Sequence, residues 1–343
     1  MKHKTLILTI LSATILSLNS WATPSKCDES NTNCYWELEG GVLTITGSGN
    51  MPDFDYDTPP WDSVKNSITS IIVSEGITSV GSGAFLEAMN VSSVSLPETL
   101  ETIGNGAFLS NRSLESINIP SNVLTIADGA FGDTGSLESI TFSENSKLTT
   151  IGGGAFAGTS SLESITIPAS VTSIAEEAFY ESGLSSVTIL SPSISIGPSC
   201  FYEAGALDSL VISGNVIFDS GPNGNITNTF ENVWLSNLTI SADAVAAYLD
   251  QGGHFESPVI ITCTKGDCQK ALEDYDEEYG TDYLSMIGEI HFPKIEKKNA
   301  DGSIAIYDSS GKKVIGYKGK RIYTLEEANQ VAGVKNRVSI KYR

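Results

Sequence analysis

Glu115, Glu138 and Glu163 each stand one residue ahead of a short stretch in which Ser, Ile, a polar residue and an apolar residue alternate. If those stretches pair as neighbouring strands, the carboxylates form a column with a spacing of ~4.8 Å. That is close to the ~5 to 5.5 Å between the two carboxyl groups of a retaining glycosidase. Against that chemistry, the three acids are equivalent and exposed, repeated by architecture rather than tuned one by one. Other catalytic groups are sparse. His3 falls in a leader segment, and His254 and His291 sit in no triad motif, so a nucleophile-base pair is not evident. Gly152-Gly153-Gly154 lacks the lysine and helix context of a phosphate-binding loop. The acidic run Asp274 to Glu278 with Asp282 misses the spacing and central glycine of a calcium loop and reads as a solvated segment. No catalytic residue, cofactor or metal is expected.

Five cysteines form two local pairs, Cys27 with Cys34 and Cys263 with Cys268, expected to be disulfides in an exported chain. A metal reading is weaker, because no His or further Cys pair flanks either one. Cys200 is left over and reads as a small buried thiol.

The elements that must position these residues repeat. Ala-Phe recurs at Ala84-Phe85, Ala107-Phe108, Ala130-Phe131, Ala155-Phe156 and Ala178-Phe179, with Cys200-Phe201 and Thr229-Phe230 as weaker copies. The Phe spacings are 23, 23, 25, 23, 22 and 29 residues. A period in this range marks a solenoid. In one unit Leu114 to Pro120 alternates as a half-buried strand, Val123 to Ile126 forms a second short extended segment, and Ala130-Phe131 turns the chain back. A unit of this size cannot bury enough apolar surface alone, so it must stack on its neighbours, strand beside parallel strand and Phe above Phe.

With Ile117 and Ile119 inward, Ser116, Asn118 and Pro120 point outward. One outward column is then Ser70, Ser93, Ser116, Ser139, Ser164, Ser186 and Ser209, followed by Asn237. The next includes Ser95, Asn118, Thr141, Thr166 and Thr188. The candidate ligand-binding residues on this concave sheet are Ser93, Ser116, Asn118, Ser139, Thr141, Ser164, Thr166, Ser186 and Thr188, bordered by Glu115, Glu138 and Glu163. This hydroxyl face is nearly free of the aromatics that dominate protein interfaces. It is either a recognition face that works by many weak contacts or a sheet whose Ser and Thr simply suit solvent.

Charge divides the chain. Thr23 to His291 carries 6 Lys and Arg against 36 Asp and Glu, a charge of -30, whereas Phe292 to Arg343 carries 12 against 5, a charge of +7. The acidic body argues against nucleic acid or anionic lipid as a partner. At the start, Lys2 and Lys4 precede an apolar run from Leu6 to Leu18, and Ser20-Trp21-Ala22 fits a cleavage site, so residues 1–22 read as a signal peptide. Cys27 lacks the context of a lipid-modified cysteine. No later stretch reaches the ~18 apolar residues of a membrane helix. The protein is expected to be exported, secreted or at the cell surface, with the periplasm an alternative.

Residues 23–66 are expected to cap the repeats of 67–240. Tyr35 to Leu38 and Val42 to Ile45 flank Glu39-Gly40-Gly41 as a hairpin, and Trp61 packs on that cap. Residues 241–291 read as a β/α closure, with a helix from Ala242 to Leu249, a strand at Val259 to Ile261 and another helix near Cys268 to Tyr275. Residues 292–343 read as a basic β-β-α-β module. Its hairpin is Ser303 to Asp308 with Val314 to Tyr317, its helix Leu325 to Val331 starts at a Thr324/Glu327 capping box, and its last strand is Arg337 to Tyr342. This module either docks the protein to an acidic envelope component or export machinery, or packs on the acidic body of its own chain.

The segment Leu162 to Pro168, followed by Val171 to Ile174 and Ala178-Phe179, resembles the BspA-like family of bacterial leucine-rich repeats. Leu43 to Gly47 with Pro60-Trp61 resembles that family's N-terminal segment. The match runs roughly from Cys27 to Ile240. Departures are Ser143 and Leu190 in place of the repeat proline, Cys200 in place of alanine, and an insertion around Asp219 to Asn228. The resemblance implies a leucine-rich repeat solenoid and an exported or surface protein that binds extracellular protein or glycan ligands, as in adhesion. It carries over no functional residue. The rival readings are an envelope carbohydrate-active enzyme or accessory subunit, and a purely structural spacer.

Overall fold

In a computed structural model of the protein, the Ala-Phe period becomes a continuous stack of buried rings. Trp61, Phe85, Phe108, Phe131, Phe156, Phe179, Phe201 and Phe230 follow one another with centroids 5.3 to 5.8 Å apart. Offset stacking of this kind adds to the large apolar area each ring removes from water. Phe230 joins Phe201 at 5.8 Å and 2°, so the stack bridges the longest interval in the period. The structure describes residues 24–28, 33–54, 59–219, 229–230, 233, 235–250, 259–264, 287–291, 295–298, 304–307 and 313–317.

In chain order the strands are β1 (Ser25–Lys26), β2 (Cys34–Glu39), β3 (Val42–Gly47), β4 (Gly49–Asn50), β5 (Ser70–Val73), β6 (Ile77–Val80), β7 (Ser93–Ser95), β8 (Thr102–Ile103), β9 (Ser116–Ile119), β10 (Thr125–Ile126), β11 (Ser139–Phe142) and β12 (Thr150–Ile151). They continue as β13 (Ser164–Ile167), β14 (Ser173–Ile174), β15 (Ser186–Ile189), β16 (Ser193–Ile196), β17 (Ser209–Ile212), β18 (Asn215–Phe218) and β19 (Asn237–Ile240). Helix α1 (Ala242–Asp250) follows, then β20 (Val259–Cys263) and β21 (Ile287–His291). Each coil gives one strand to each of two sheets. The even-numbered strands from β4 to β18 form one unbroken parallel sheet of eight. The odd-numbered strands form the face predicted to bind, and there the ladder is cut into β1-β2-β3-β5-β7, β9-β11 and β13-β15-β17-β19-β20-β21.

A local feature accompanies the cuts. β9 and β13 each run into a repeat proline, Pro120 and Pro168, which has no N–H to close the last ladder bond to the preceding strand. β7 also runs into one, Pro97, yet still pairs with β5 over Ser93 to Ser95, so the missing donor weakens the ladder without being enough to cut it. Where the repeat departs from proline, the bond forms: Ser143 donates to the Ile119 carbonyl at 3.0 Å and Leu190 to that of Ile167 at 3.1 Å. Both departures lie where the sheet is continuous. Pro120 does not point outward as the strand alternation predicts. It is buried, because its carbonyl already accepts the Val123 N–H at 3.2 Å and the chain has begun to turn inward.

At the N-terminal end β2 and β3 pair antiparallel, and β3 then runs parallel to β5, so the predicted hairpin caps the first coil. Cys27 and Cys34 are disulfide-bonded, with Cα atoms 5.3 Å apart. Trp61 does more than pack on the cap. It meets Trp36 and Phe54 edge-on, stacks on Phe85 at 5.6 Å and donates its indole N–H to the Ala84 carbonyl at 2.9 Å. It is the first rung of the Phe stack.

At the other end Tyr248 of α1 meets Phe218 and Phe230 edge-on, at 5.1 and 5.3 Å, and β20 and β21 extend the odd-strand sheet. Cys263 is disulfide-bonded, whereas Cys268 lies outside the described residues, as do residues 1–22, the helix expected near Cys268 to Tyr275 and the acidic run that follows it. In the tail, β22 (Ile295–Lys298), β23 (Ile304–Tyr307) and β24 (Lys313–Tyr317) form an antiparallel sheet. The expected hairpin is β23-β24, with β22 as an additional strand ahead of it. The expected helix and last strand of that module lie outside the described residues.

Candidate binding face

The parallel register lines up the predicted columns. Ser116 is opposite Ser139, Asn118 opposite Thr141, Ser164 opposite Ser186, and Thr166 opposite Thr188. Ser93, Ser116, Asn118, Ser139, Thr141, Ser164 and Thr166 are exposed, while Ser186 and Thr188 are half-buried. The hydroxyls bond along the column: the Ser93 hydroxyl donates to that of Ser70 at 2.9 Å, Thr141 to the Asn118 amide oxygen at 3.0 Å, and the Asn118 amide to the Ser143 hydroxyl at 3.3 Å. Mutual bonding of this kind fixes rotamers and lowers the ordering cost of meeting a ligand.

The face is not uniform. At the cut between β11 and β13 it opens into a groove of about 590 Å³. Glu138, Ser139, Thr141, Ser164 and Thr166, five of the twelve residues singled out in the sequence, line it. Its floor is apolar: Ile140 and Ile165 are 8% and 4% exposed, Phe142 is half-buried, and Leu190 at the rim is 46% exposed. The groove falls in the coil with 25 residues between Phe131 and Phe156, whose extra length lies in the loop carrying Ser143, Asn145 and Ser146. The other cut, between β7 and β9, follows an ordinary 23-residue coil. A missing proline N–H and a longer loop together make the groove. Sequence reasoning missed its apolar floor, although the 25-residue interval was the available signal.

The glutamate column is split by the same cut. Glu115 and Glu138 flank the paired strands β9 and β11, whereas Glu163 precedes β13 across the groove. All three are exposed. Among the described residues no three His, Cys, Asp or Glu side chains come together as a metal site. Cys200 is a buried free thiol, and burial pushes its ionisation far above the ordinary thiol value, which removes the thiolate that a nucleophile or metal ligand requires. Of the two remaining histidines, His291 ends β21 and His254 lies outside the described residues.

This stack of 22- to 25-residue coils, one strand per sheet and one Phe per turn, matches a known repeat. A family model described as the BspA type leucine rich repeat region fits residues 63–147 and 125–245 in six copies. The chain belongs to the BspA-type leucine-rich repeat family. Comparison with curated proteins gave no match. Among solved structures it is similar to a leucine rich cell surface protein of Faecalibacterium prausnitzii, at 22% identity over 65% of this chain and 73% of that one, with a TM-score of 0.45. It is also similar to a leucine rich repeat protein of T. pallidum, at 20% identity over 52% and 91%, TM-score 0.42. The pneumococcal vaccine antigen PcpA matches at 14% identity over 77% and 98%, TM-score 0.36. As a BspA-type repeat protein, the chain is of a bacterial surface type. Among the described residues no helix is long and apolar enough to cross a membrane.

Proposed function

We propose that this is a non-enzymatic exported protein that binds extracellular protein or glycan ligands through the outward face of its odd-strand sheet, in adhesion. The observation that carries this reading is the groove between β11 and β13, where bonded hydroxyls rim an apolar floor. Binding sites of small and extended ligands combine those two features: apolar area for affinity, a few fixed polar groups for orientation. The carboxylates beside it are exposed and repeated rather than enclosed as a catalytic pair, and the face would gain strength from several weak contacts made at once.

The test replaces Ser139, Thr141, Ser164 and Thr166 together by Lys in the full chain and compares binding to arrays of extracellular-matrix proteins and glycans. The four side chains are exposed, so the fold and its melting temperature should be kept while binding to whichever array component the native chain retains is lost. Unchanged binding by the folded variant would reject this face as the site. A native chain that retains no array component would reject the adhesive reading in favour of a spacer.

A further inference from the structure

Because the coils repeat, each position has its own internal control, and two consecutive coils break the pattern along one edge. The residue after the stacked Phe is Leu86, Leu109, Gly132 and Ala157 in the first four coils, then Tyr180 and Tyr202. These two tyrosines are half-buried, and their rings stack at 5.6 Å and 5°. Two residues before the Phe the backbone is left-handed in every one of these coils. The first four place Gly there, at Gly83, Gly106, Gly129 and Gly154, but the fifth places Glu177 at φ 56°. Two residues after the Phe, Glu181 and Glu203 flank the tyrosine pair. The Tyr180 hydroxyl bonds to the Glu181 carboxylate, which together with desolvation and the charges of Glu181 and Glu203 pushes its ionisation up to about 12. The Tyr180 phenol is thus a neutral donor set beside these carboxylates.

A second observation concerns where the counter-charge is. From Leu148 to Thr264 there is no Lys or Arg, against 11 Asp and Glu. Lys65, which pairs with Asp62 and Glu87, stands far back, just ahead of the first coil. The cations of this chain are concentrated instead in the tail, where Ser309 to Thr324 carries Lys312, Lys313, Lys318, Lys320 and Arg321 with no acidic residue. An ammonium or guanidinium group is attracted both to a tyrosine face and to a carboxylate. Reach is not limiting. The sixth coil's strand β17 is three strands from β21 in its sheet, roughly 15 Å at ~4.8 Å each. Because Ile295 pairs with Tyr307, the chain from Phe292 to Asp308 folds back on itself. The three residues ahead of β22 can span about 10 Å and the five of β24 about 16 Å at ~3.3 Å each, which together exceed that distance.

We propose that Tyr180 and Tyr202, with Glu177, Glu181 and Glu203, form a docking edge for the basic segment Ser309 to Thr324 of this chain. It is separate from the groove on the odd-strand sheet and does not depend on what that groove binds.

Zero-length carbodiimide coupling of the full chain, which joins carboxylates to lysines in contact, tests this directly. Mixing isotopically light and heavy chains distinguishes docking within a chain from docking onto a second copy, and either supports the edge. Coupling of Lys312, Lys313, Lys318 or Lys320 to Glu177, Glu181 or Glu203 should exceed several-fold their coupling to Glu115, Glu138 or Glu163. It should vanish at ~1 M salt, where the screening length is ~3 Å. In the variant carrying Tyr180→Leu and Tyr202→Leu, which restores the residue of the first two coils, that coupling should fall several-fold at an unchanged melting temperature. The variant carrying Tyr180→Phe and Tyr202→Phe should keep it, because the ring faces remain. Lysine coupling spread evenly over the body's carboxylates, absent altogether, or unaltered in the Leu variant would overturn the proposal, the second outcome leaving the tail free for an acidic envelope component.

Discussion

Every coil contributes a strand to each of two sheets, yet the sheet of mostly two-residue strands runs unbroken from β4 to β18 while the sheet of longer strands is cut twice. The short strands lead directly into the Ala-Phe turn, so the ring stack holds their pitch. Side chains reinforce it there: Asp53 accepts the Ser82 N–H at 2.7 Å, Asn105 that of Asp128 at 3.2 Å, and Asp128 that of Gly153 at 2.7 Å. The longer strands lie away from the rings and end at Pro120 and Pro168 with a donor missing. A net hydrogen bond contributes ~1 kcal/mol, a buried Phe several times that, so the Phe side sets the stack and the other side can open without unfolding it. The division puts rigidity on one sheet and a variable, groove-bearing surface on the other.

The largest test of that division is Phe131→Ala. Phe131 is fully buried between Phe108 and Phe156, at 5.3 and 5.5 Å, and its truncation should cost ~3 to 5 kcal/mol, read as a drop in denaturant midpoint. A loss under ~1 kcal/mol would mean that the sheets, not the rings, set the stack. This spine was legible in the sequence because an Ala-Phe pair every 22 to 25 residues has no reading other than a repeated turn. The outward columns were equally legible, since strand alternation fixed their register. Trp61 as the first rung was not: it has no Ala-Phe context, and only the fold shows its indole bonded to Ala84. Nor were the cuts, because the strand alternation that placed Ser116 and Asn118 correctly also placed Pro120 outward. It carried no information about which strand lacks a donor.

A smaller effect should come from Ser143→Pro, which gives β11 the proline of the repeat. It removes the N–H that Ser143 donates to the Ile119 carbonyl, so the β9-β11 ladder should lose its last bond and shorten, as the three-residue β7 does ahead of Pro97. The expected cost is ~1 kcal/mol, with amide exchange accelerating in β9 and β11 and unchanged in β10 and β12. Acceleration in all four would show that the two sheets are not independent. The comparison also explains why the departures from the repeat were hard to interpret in advance. Ser143 and Leu190 look like decay of a consensus, but each supplies a backbone donor that the consensus residue lacks.

The smallest effect separates stability from function at one residue. Glu177 occupies a left-handed position that four earlier coils fill with Gly. For an L-residue that conformation costs ~1 to 2 kcal/mol, while Gly adds back ~0.5 to 1 kcal/mol of chain entropy on folding. Glu177→Gly should therefore raise stability by about 0.5 to 1 kcal/mol, seen as a higher denaturant midpoint at constant slope. Gly154→Glu, its converse one coil earlier, should lower it by a similar amount; an added Cβ there meets only the Ala157 Cβ, at 3.9 Å, so strain rather than collision sets the loss. The docking edge predicts that the stabilised Glu177→Gly chain also couples its tail less efficiently to Glu181 and Glu203. A chain that gains stability and loses docking would explain why a costly glutamate stands where glycine suffices elsewhere. A gain with docking unaltered would leave Glu177 as strain without a use, and confine the edge to the tyrosines and their two flanking carboxylates.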